Sequence, residues 1–228
     1  MKAIITGFSF SELGIFSNFR EERIETERGK AIVFVKNDWV FLPRHGPDKT
    51  ISPHRINQAA NISGLKELGV VAIFSINSTG SLKLTITPQD FLVPDDYFCL
   101  WPKTFYRDRI THIVPELDGG LRRIIMDVAK KVGLNPINEG VYVQTKGPRL
   151  ETKAEIRFLR TIGDVVGMTM ADEATVSQEL GIPYASLCSI DNYCNGITDK
   201  PLTIEEMKEN SCQKIEKLKA FLIRLLEE

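Results

Sequence analysis

Residues 141–196 read VYVQTKGPRLETKAEIRFLRTIGDVVGMTMADEATVSQELGIPYASLCSIDNYCNG. Apolar runs at 141–145, 165–168 and 184–190 have the length and composition of buried strands. Between the first two, Ile156, Leu159 and Ile162 recur at helical spacing. Strand, helix and strand in this order predict an α/β architecture. In such sheets small ligands bind beyond the strand ends. The residues that leave these strands, Gly147-Pro148-Arg149-Leu150-Glu151-Thr152, Val166-Gly167-Met168-Thr169 and Asp191-Asn192, are therefore expected to converge on one pocket.

Outward from this stretch, further strands are expected at 3–6, 31–35, 39–42, 70–76 and 91–93. Ser52 reads as an N-cap with Pro53 at the first helical position, and Ile56, Ala59, Ala60 and Leu65 follow at helical spacing. Leu121, Ile124, Ile125 and Val128 mark a second helix. Thr203 with Glu206 fits a capping box opening one long C-terminal helix that carries Met207, Ile215, Leu218, Leu222 and Leu225. Extra strand pairs near 31–42 and 91–102 point to a mixed sheet. No linker, repeat or low-complexity tract interrupts the chain, so residues 1–228 are read as a single α/β domain.

The chain has 228 residues, enough to bury a large core without disulfides or a structural metal. A formal net charge of -1 gives no bulk attraction to nucleic acid or an anionic membrane, and neither is expected as a partner. No run reaches the ~18 apolar residues of a membrane span. The opening MKAIITGFSF has too short an apolar run for a signal peptide, so a cytoplasmic location is expected. Cys99, Cys188, Cys194 and Cys212 are read as reduced thiols, and their spacing, with no histidine nearby, predicts no metal site.

Five clusters carry chemistry. Arg44-His45-Gly46-Pro47-Asp48-Lys49 follows an expected strand, and its cations suit an anion, with arginine offering bidentate geometry to phosphate. Asn77-Ser78-Thr79-Gly80-Ser81 follows another; small hydroxyl residues and a glycine let backbone amides approach an oxyanion, although the same residues suit a polar turn. Glu151 follows a glycine-proline turn and is either an acceptor for a ligand N–H or an acid in the first turn of a helix. Met168 and Thr169 pair an apolar wall with a hydroxyl. Asp191-Asn192 places a carboxylate and an amide at a strand end, where an Asx turn is the alternative.

In their joint order these clusters resemble the trimeric purine nucleoside phosphorylases, a family that includes the methylthioadenosine phosphorylases. The resemblance spans nearly the whole chain and is strongest in RHGPDKTISPHRINQAANISGLKELGV (44–70), GPRLETKAEIR (147–157) and VGMTMADEA (166–174). It implies a three-layer α/β/α sandwich around a mixed sheet. It also implies cleavage of the N-glycosidic bond of a purine nucleoside by phosphate, a co-substrate, with no cofactor and no metal. By this resemblance Arg44, His45, Ser78 and Thr169 contact phosphate, and Asn77, Leu150 and Met168 contact base or sugar. Leu150 stands where the family has a stacking phenylalanine. The family closes each site with a residue of a neighbouring subunit, which makes His112 a candidate and a homotrimer, or a dimer of trimers, the expected assembly; a surface-turn histidine is the alternative. The family's N-terminal glycine-rich turn supplies a phosphate-binding hydroxyl, and here the chain reads Thr6-Gly7-Phe8-Ser9-Phe10. Either Ser9, one residue later, takes that role or the phosphate has one ligand fewer.

Base preference follows from hydrogen-bond polarity. The methylthioadenosine branch carries aspartates at the strand-end motif, whereas this chain has Asn192 and then Cys194. A 6-oxopurine presents an acceptor at O6 and a donor at N1, which match an amide N–H of Asn192 and the carboxylate of Glu151. The expected substrate is a 6-oxopurine nucleoside (inosine, guanosine or 5′-methylthioinosine), with Asn192 and Glu151 carrying the catalysis. A methylthioadenosine phosphorylase, a non-catalytic nucleoside-binding protein and a water-using hydrolase are the alternatives.

Overall fold

A computed structural model describes residues 1–7 and 14–228. Among the described residues it has ten strands in one mixed sheet and six α-helices. The central strands are β1 (Lys2–Thr6), β4 (Trp39–Pro43), β5 (Ala72–Ser81) and β10 (Tyr184–Tyr193), all parallel. Side chains alternate across β1: Ala3 and Ile5 join one core cluster and Ile4 the other. Helices α1 (Gln58–Glu67) and α4 (Met170–Glu179) cover the first face; α2 (Gly119–Lys131) and α6 (Ile215–Leu225) cover the second. The three layers and the mixed sheet are as expected from the sequence.

Several elements differ from expectation. Strand β2 (Arg20–Thr26) was not anticipated: it is an edge strand of REERIET, paired antiparallel with β3 (Gly29–Lys36), and its charges face water, as suits an edge. Strands β3 and β4 do form an antiparallel pair. β6 (Phe91–Leu92) and β7 (Asp96–Phe98) do not pair with each other; β6 joins β10 and β7 joins β8 (Val141–Gln144). Ser52 makes no side-chain cap: it precedes a 3₁₀ turn, Pro53–Arg55, and α1 starts later, capped by Asn57, whose side chain accepts from the Ala60 amide. The expected C-terminal helix is two helices, α5 (Ile204–Gln213) and α6, broken at Lys214, whose side chain turns fully inward. Thr203 caps α5 by accepting from the Glu206 amide, which is one half of the expected capping box; the reciprocal bond from Glu206 is not made.

Asn77–Ser81 is not a turn after a strand. β5 runs on to Ser81 because β10 pairs with it along its whole length. Along its other edge β5 pairs with β1 over Ala72–Ile76 and with β9 (Val165–Gly167), antiparallel, at Gly80 and Ser81. Residues 77–79 thus face a gap between the ends of β1 and β9. Likewise β10 passes through Asp191 and Asn192 to Tyr193, with a bulge between Ile190 and Asn192, so no Asx turn ends it.

Candidate active site

The gap opens into a cavity of about 320 Å³, near the lower bound for small-molecule sites. Eight candidates from the sequence line it: Arg44, His45, Ser78, Leu150, Glu151, Met168, Thr169 and Asn192. Segments far apart in sequence meet there because four parallel strand ends and the reversed end of β9 converge.

One end of the cavity is cationic. Arg44 is 2% exposed, and its Nε donates to Glu173 Oε1 at 2.6 Å, Nη1 to Ile76 O at 2.9 Å and Nη2 to Ser75 Oγ at 2.7 Å. Nη2 also approaches Glu173 Oε2 at 3.3 Å. Burial works against the guanidinium charge, but the Glu173 carboxylate outweighs it, by charge and by hydrogen bond, and holds the Arg44 pKa above its ordinary value. The bidentate fork expected to grip an anion is thus committed to Glu173, and a single Nη1 hydrogen remains toward the cavity. Gly7 makes that hydrogen reachable: a Cβ there would lie 3.2 Å from Arg44 Nη1. His45 Nδ1 sits 2.6 Å from Ile51 O, which fixes Nδ1–H as the donor in the neutral ring. Burial lowers the His45 pKa; the Ile51 carbonyl opposes this and the Arg44 charge adds to it.

Thr169 and Asn77 sit beside this end in different roles. Asn77 is 1% exposed and does not line the cavity, contrary to the expectation that it contacts base or sugar. Its Nδ2 donates to Ser75 Oγ at 2.9 Å and Ser186 Oγ at 2.7 Å, and its Oδ1 accepts from Thr169 Oγ1 at 3.0 Å. It therefore orients the Thr169 hydroxyl. The network runs from Thr169 through Asn77 and Ser75 to Glu173, where Tyr184 Oη also donates, at 2.8 Å. The first amides of α4 are already occupied: Tyr142 Oη accepts from Thr169 N and Met170 N, both at 3.3 Å, and Gln144 Oε1 from Ala171 N at 2.8 Å.

The other end is built by 145–151, Gly80 and the end of β10. Thr152 and Glu155 form the capping box of α3 (Lys153–Leu159), so Glu155, not Glu151, is its first-turn acid. Glu151 precedes the cap and faces the cavity; Thr145 Oγ1 donates to its Oε1 at 2.5 Å, which leaves Oε2 for a ligand N–H. Gly147 lies so near Met168 that a Cβ would come within 2.5 Å of its Sδ, and its φ of 64° is one that glycine adopts freely. Asn192 Nδ2 donates to Tyr193 O at 2.9 Å, and a Cβ at Gly80 would sit 3.0 Å from Nδ2 and 2.6 Å from Cys194 Sγ. Burial, reinforced by Glu151, pushes the Cys194 thiol up, so it stays protonated. Ser78 lines the cavity, but its hydroxyl donates to Asp191 Oδ2, not inward.

Two candidates remain. Ser9 falls outside the described residues. His112 is exposed, in the irregular segment between β7 and α2. That segment is tied to the C-terminal end of α4 by Gln178, which donates to Val114 O at 2.7 Å and accepts from Glu116 N at 3.1 Å. Thr169 marks the other end of α4, about 15 Å of helix away, so within one chain His112 does not reach the cavity. Glu173, Ser75, Tyr142 and Gln144 were missed by sequence reasoning; of these only Glu173 carried a signal, as the acid inside the motif VGMTMADEA.

The packing under Met168 and Thr169 gives a sharp expectation. A Cβ on Gly167 would overlap Tyr142 Oη and lie 2.8 Å from its Cζ, and Tyr142 is fully buried. Gly167→Ala is expected to cost about 1–3 kcal/mol of stability by overpacking and to displace both cavity residues. Kinetics and denaturant unfolding should show a loss of turnover larger than the loss of stability explains, partly restored in Gly167→Ala/Tyr142→Phe.

The phosphorylase superfamily model matches residues 2–227. A protein of Archaeoglobus fulgidus described as a probable 6-oxopurine nucleoside phosphorylase is 40% identical over 94% of this chain and 93% of its own length. One of Methanocaldococcus jannaschii, described as a probable S-methyl-5′-thioinosine phosphorylase, is 41% identical over 100% of this chain and 91% of its own. In three dimensions the chain resembles methylthioadenosine phosphorylase from Schistosoma mansoni in complex with adenine, with a TM-score of 0.87, 23% identity and coverage of 99% of this chain and 90% of that one. Matched along nearly its whole length by the family model and by relatives about 40% identical, the protein belongs to the phosphorylase superfamily.

Proposed function

We propose that this protein cleaves the N-glycosidic bond of 6-oxopurine nucleosides with inorganic phosphate, releasing free base and a pentose 1-phosphate. The observation that carries this is the polarity of the cavity: Arg44, His45 and Thr169 at one end, Glu151 and Asn192 at the other, Met168 between them. The names of the Archaeoglobus and Methanocaldococcus relatives support the same base class.

The chemistry follows from where charge develops. As the C1′–N9 bond stretches, the pentose becomes oxocarbenium-like and its bonding electrons pass to the purine. An Asn192 N–H donates toward O6 or N7, a contact that strengthens as the base turns anionic, and Glu151 accepts from N1–H, which selects and orients the base. Phosphate, held by the remaining Arg44 Nη1 hydrogen, His45, Thr169 and the Ser78 strand, lies under C1′ and forms the new C1′–O bond. Leu150 gives the base an apolar contact without aromatic stacking. No step calls on a metal or an organic cofactor.

The site is completed, in this proposal, in a homotrimer or a dimer of trimers. The segment that holds His112 also exposes Trp101 (85%), Ile110 (87%) and Val114 (85%), which suits a subunit contact delivering His112 to a neighbouring cavity. The four free thiols suit a cytoplasmic setting, and no helix among the described residues is long and apolar enough to cross a membrane.

The test is product release from inosine, guanosine, methylthioinosine, adenosine and methylthioadenosine, with and without phosphate. Phosphate-dependent release of hypoxanthine or guanine is expected, with little adenine. Dominant turnover of methylthioadenosine would refute the base assignment, and phosphate-independent turnover would mark a hydrolase.

A further inference from the structure

Behind the base end of the cavity lies a buried ion pair that the chemistry above does not use. Lys214, at the break between α5 and α6, is fully buried, and its Nζ lies 2.8 Å from Asp191 Oδ1. The ammonium also donates to Pro88 O at 3.0 Å and to Ile190 O. Asp191 is saturated in turn. Its Oδ1 accepts from Ser189 Oγ at 2.7 Å, its Oδ2 from Ser78 Oγ, and its carbonyl from Asn210 Nδ2 of α5 at 3.1 Å.

The position of Asp191 gives the pair a consequence. In the register of β10 on β5, Ile190 faces Thr79 and Asn192 faces Gly80, so Asp191 is the extra residue of the bulge. A bulge re-aims the side chain that follows it. Without it, residue 191 would stand opposite Gly80, and Asn192 would turn to the other side of the strand. The carboxylate that locks the bulge also holds Ser78, on the facing wall, and Lys214 ties both to α5, whose Met207 lines the cavity. An ordinary solvated lysine in a helix needs none of these partners.

We propose that Asp191 and Lys214 are positioning residues: through the bulge and the Ser78 hydrogen bond they set Asn192 against the base and the Ser78 strand against the co-substrate. The pair acts behind the cavity and touches neither substrate. This rests on the phosphorolysis proposed above, and the test keeps the two apart.

Asp191→Asn, Lys214→Met and the double variant are compared with the parent for kcat, for KM of inosine and of phosphate, and for the inosine-over-adenosine ratio. Leaving one charge of a buried pair alone is strongly destabilising, whereas replacing both is often tolerated, so the double variant keeps the test open if a single variant does not fold. The expected result is a fall in kcat on inosine of about 10–100-fold, the size of one or two misplaced polar contacts in a closed site. The phosphate KM should rise, the inosine-over-adenosine ratio should drop, and the double variant should be no worse than the worse single one. Asn210→Ala, on the partly exposed face of α5, removes one hydrogen bond and is expected to lower kcat about 2–10-fold at nearly unchanged Tm. The Kd of hypoxanthine, measured by calorimetry on the same proteins, should weaken about tenfold in the double variant, a readout that holds even if the parent fails to use phosphate. Variants that keep the parent's kcat, both KM values, its substrate ratio and its hypoxanthine Kd, and lose only Tm, overturn the proposal: the pair is then merely structural.

Discussion

Glu173→Ala is expected to lower stability by about 3–5 kcal/mol and to abolish turnover in whatever fraction still folds. Glu173 is fully buried, and its carboxylate takes hydrogen bonds from Arg44, Ser75 and Tyr184. Removing it leaves the Arg44 charge in the interior with two carbonyls, at 2.9 and 3.4 Å, and one hydroxyl at 2.7 Å as its partners. A cation so placed either unfolds its surroundings or swings toward the cavity, and each outcome destroys the anion end. Glu173→Gln separates charge from shape. It retains volume and two polar atoms, so it should cost less stability than the alanine variant while losing most of the charge support for Arg44. Denaturant unfolding of both variants beside steady-state kinetics with varied phosphate reads this directly. The phosphate KM should rise in the glutamine variant more than the inosine KM. Equal changes in the two would mean that Glu173 supports the cavity as a whole and not its anion end.

That glutamate shows where sequence reasoning reaches and where it stops. Arg44 was legible because a cation after an apolar strand is unusual, but its partner lies 129 residues away, inside a helix that was not expected. Helix α4 reads MADEATVSQE, and Met170 to Ser177 are all buried. A helix enclosed on every side has no polar face, so the 3.6-residue alternation that reveals an amphipathic helix is absent. β5 and β10 were cut short for a related reason. Asn77–Ser81 and Asp191–Tyr193 carry turn-forming side chains, but hydrogen bonding between two long parallel strands overrides their local preference. Lys214 sits in QKIEKLK (213–219) and reads as one charge of a solvated stripe; only the bulge at Asp191 explains why it turns inward. The cavity residues themselves were the legible part, since polar side chains at strand ends stand out against apolar runs. Asn77 is the exception. Its type and position matched a ligand contact, yet one layer of packing separates it from the cavity.

Asn192→Asp is expected to reduce kcat/KM for inosine by about 10–100-fold and to shift the adenosine-to-inosine ratio toward adenosine. In the parent the amide donates one N–H to Tyr193 O at 2.9 Å and has a second for the base. An ionised carboxylate would set an acceptor against the Tyr193 carbonyl and another against O6, and each unpaired polar contact in a closed site costs about 1–3 kcal/mol. It would also add a charge beside Glu151 and Asp191, which disfavours the anionic base that forms as the glycosidic bond breaks. A 6-amino base offers a donor where O6 accepts, so adenosine loses less and the ratio moves even if both rates fall. Asn192→Leu is the control for the Tyr193 contact: it removes the amide without adding an acceptor or a charge, so it should slow both substrates and leave the ratio nearer the parent's. If the aspartate and leucine variants give the same ratio, repulsion at O6 is not what selects the base. Selection would then fall to Glu151, whose Oε2, in the proposed site, would meet N1–H in a 6-oxopurine and a lone pair in adenine.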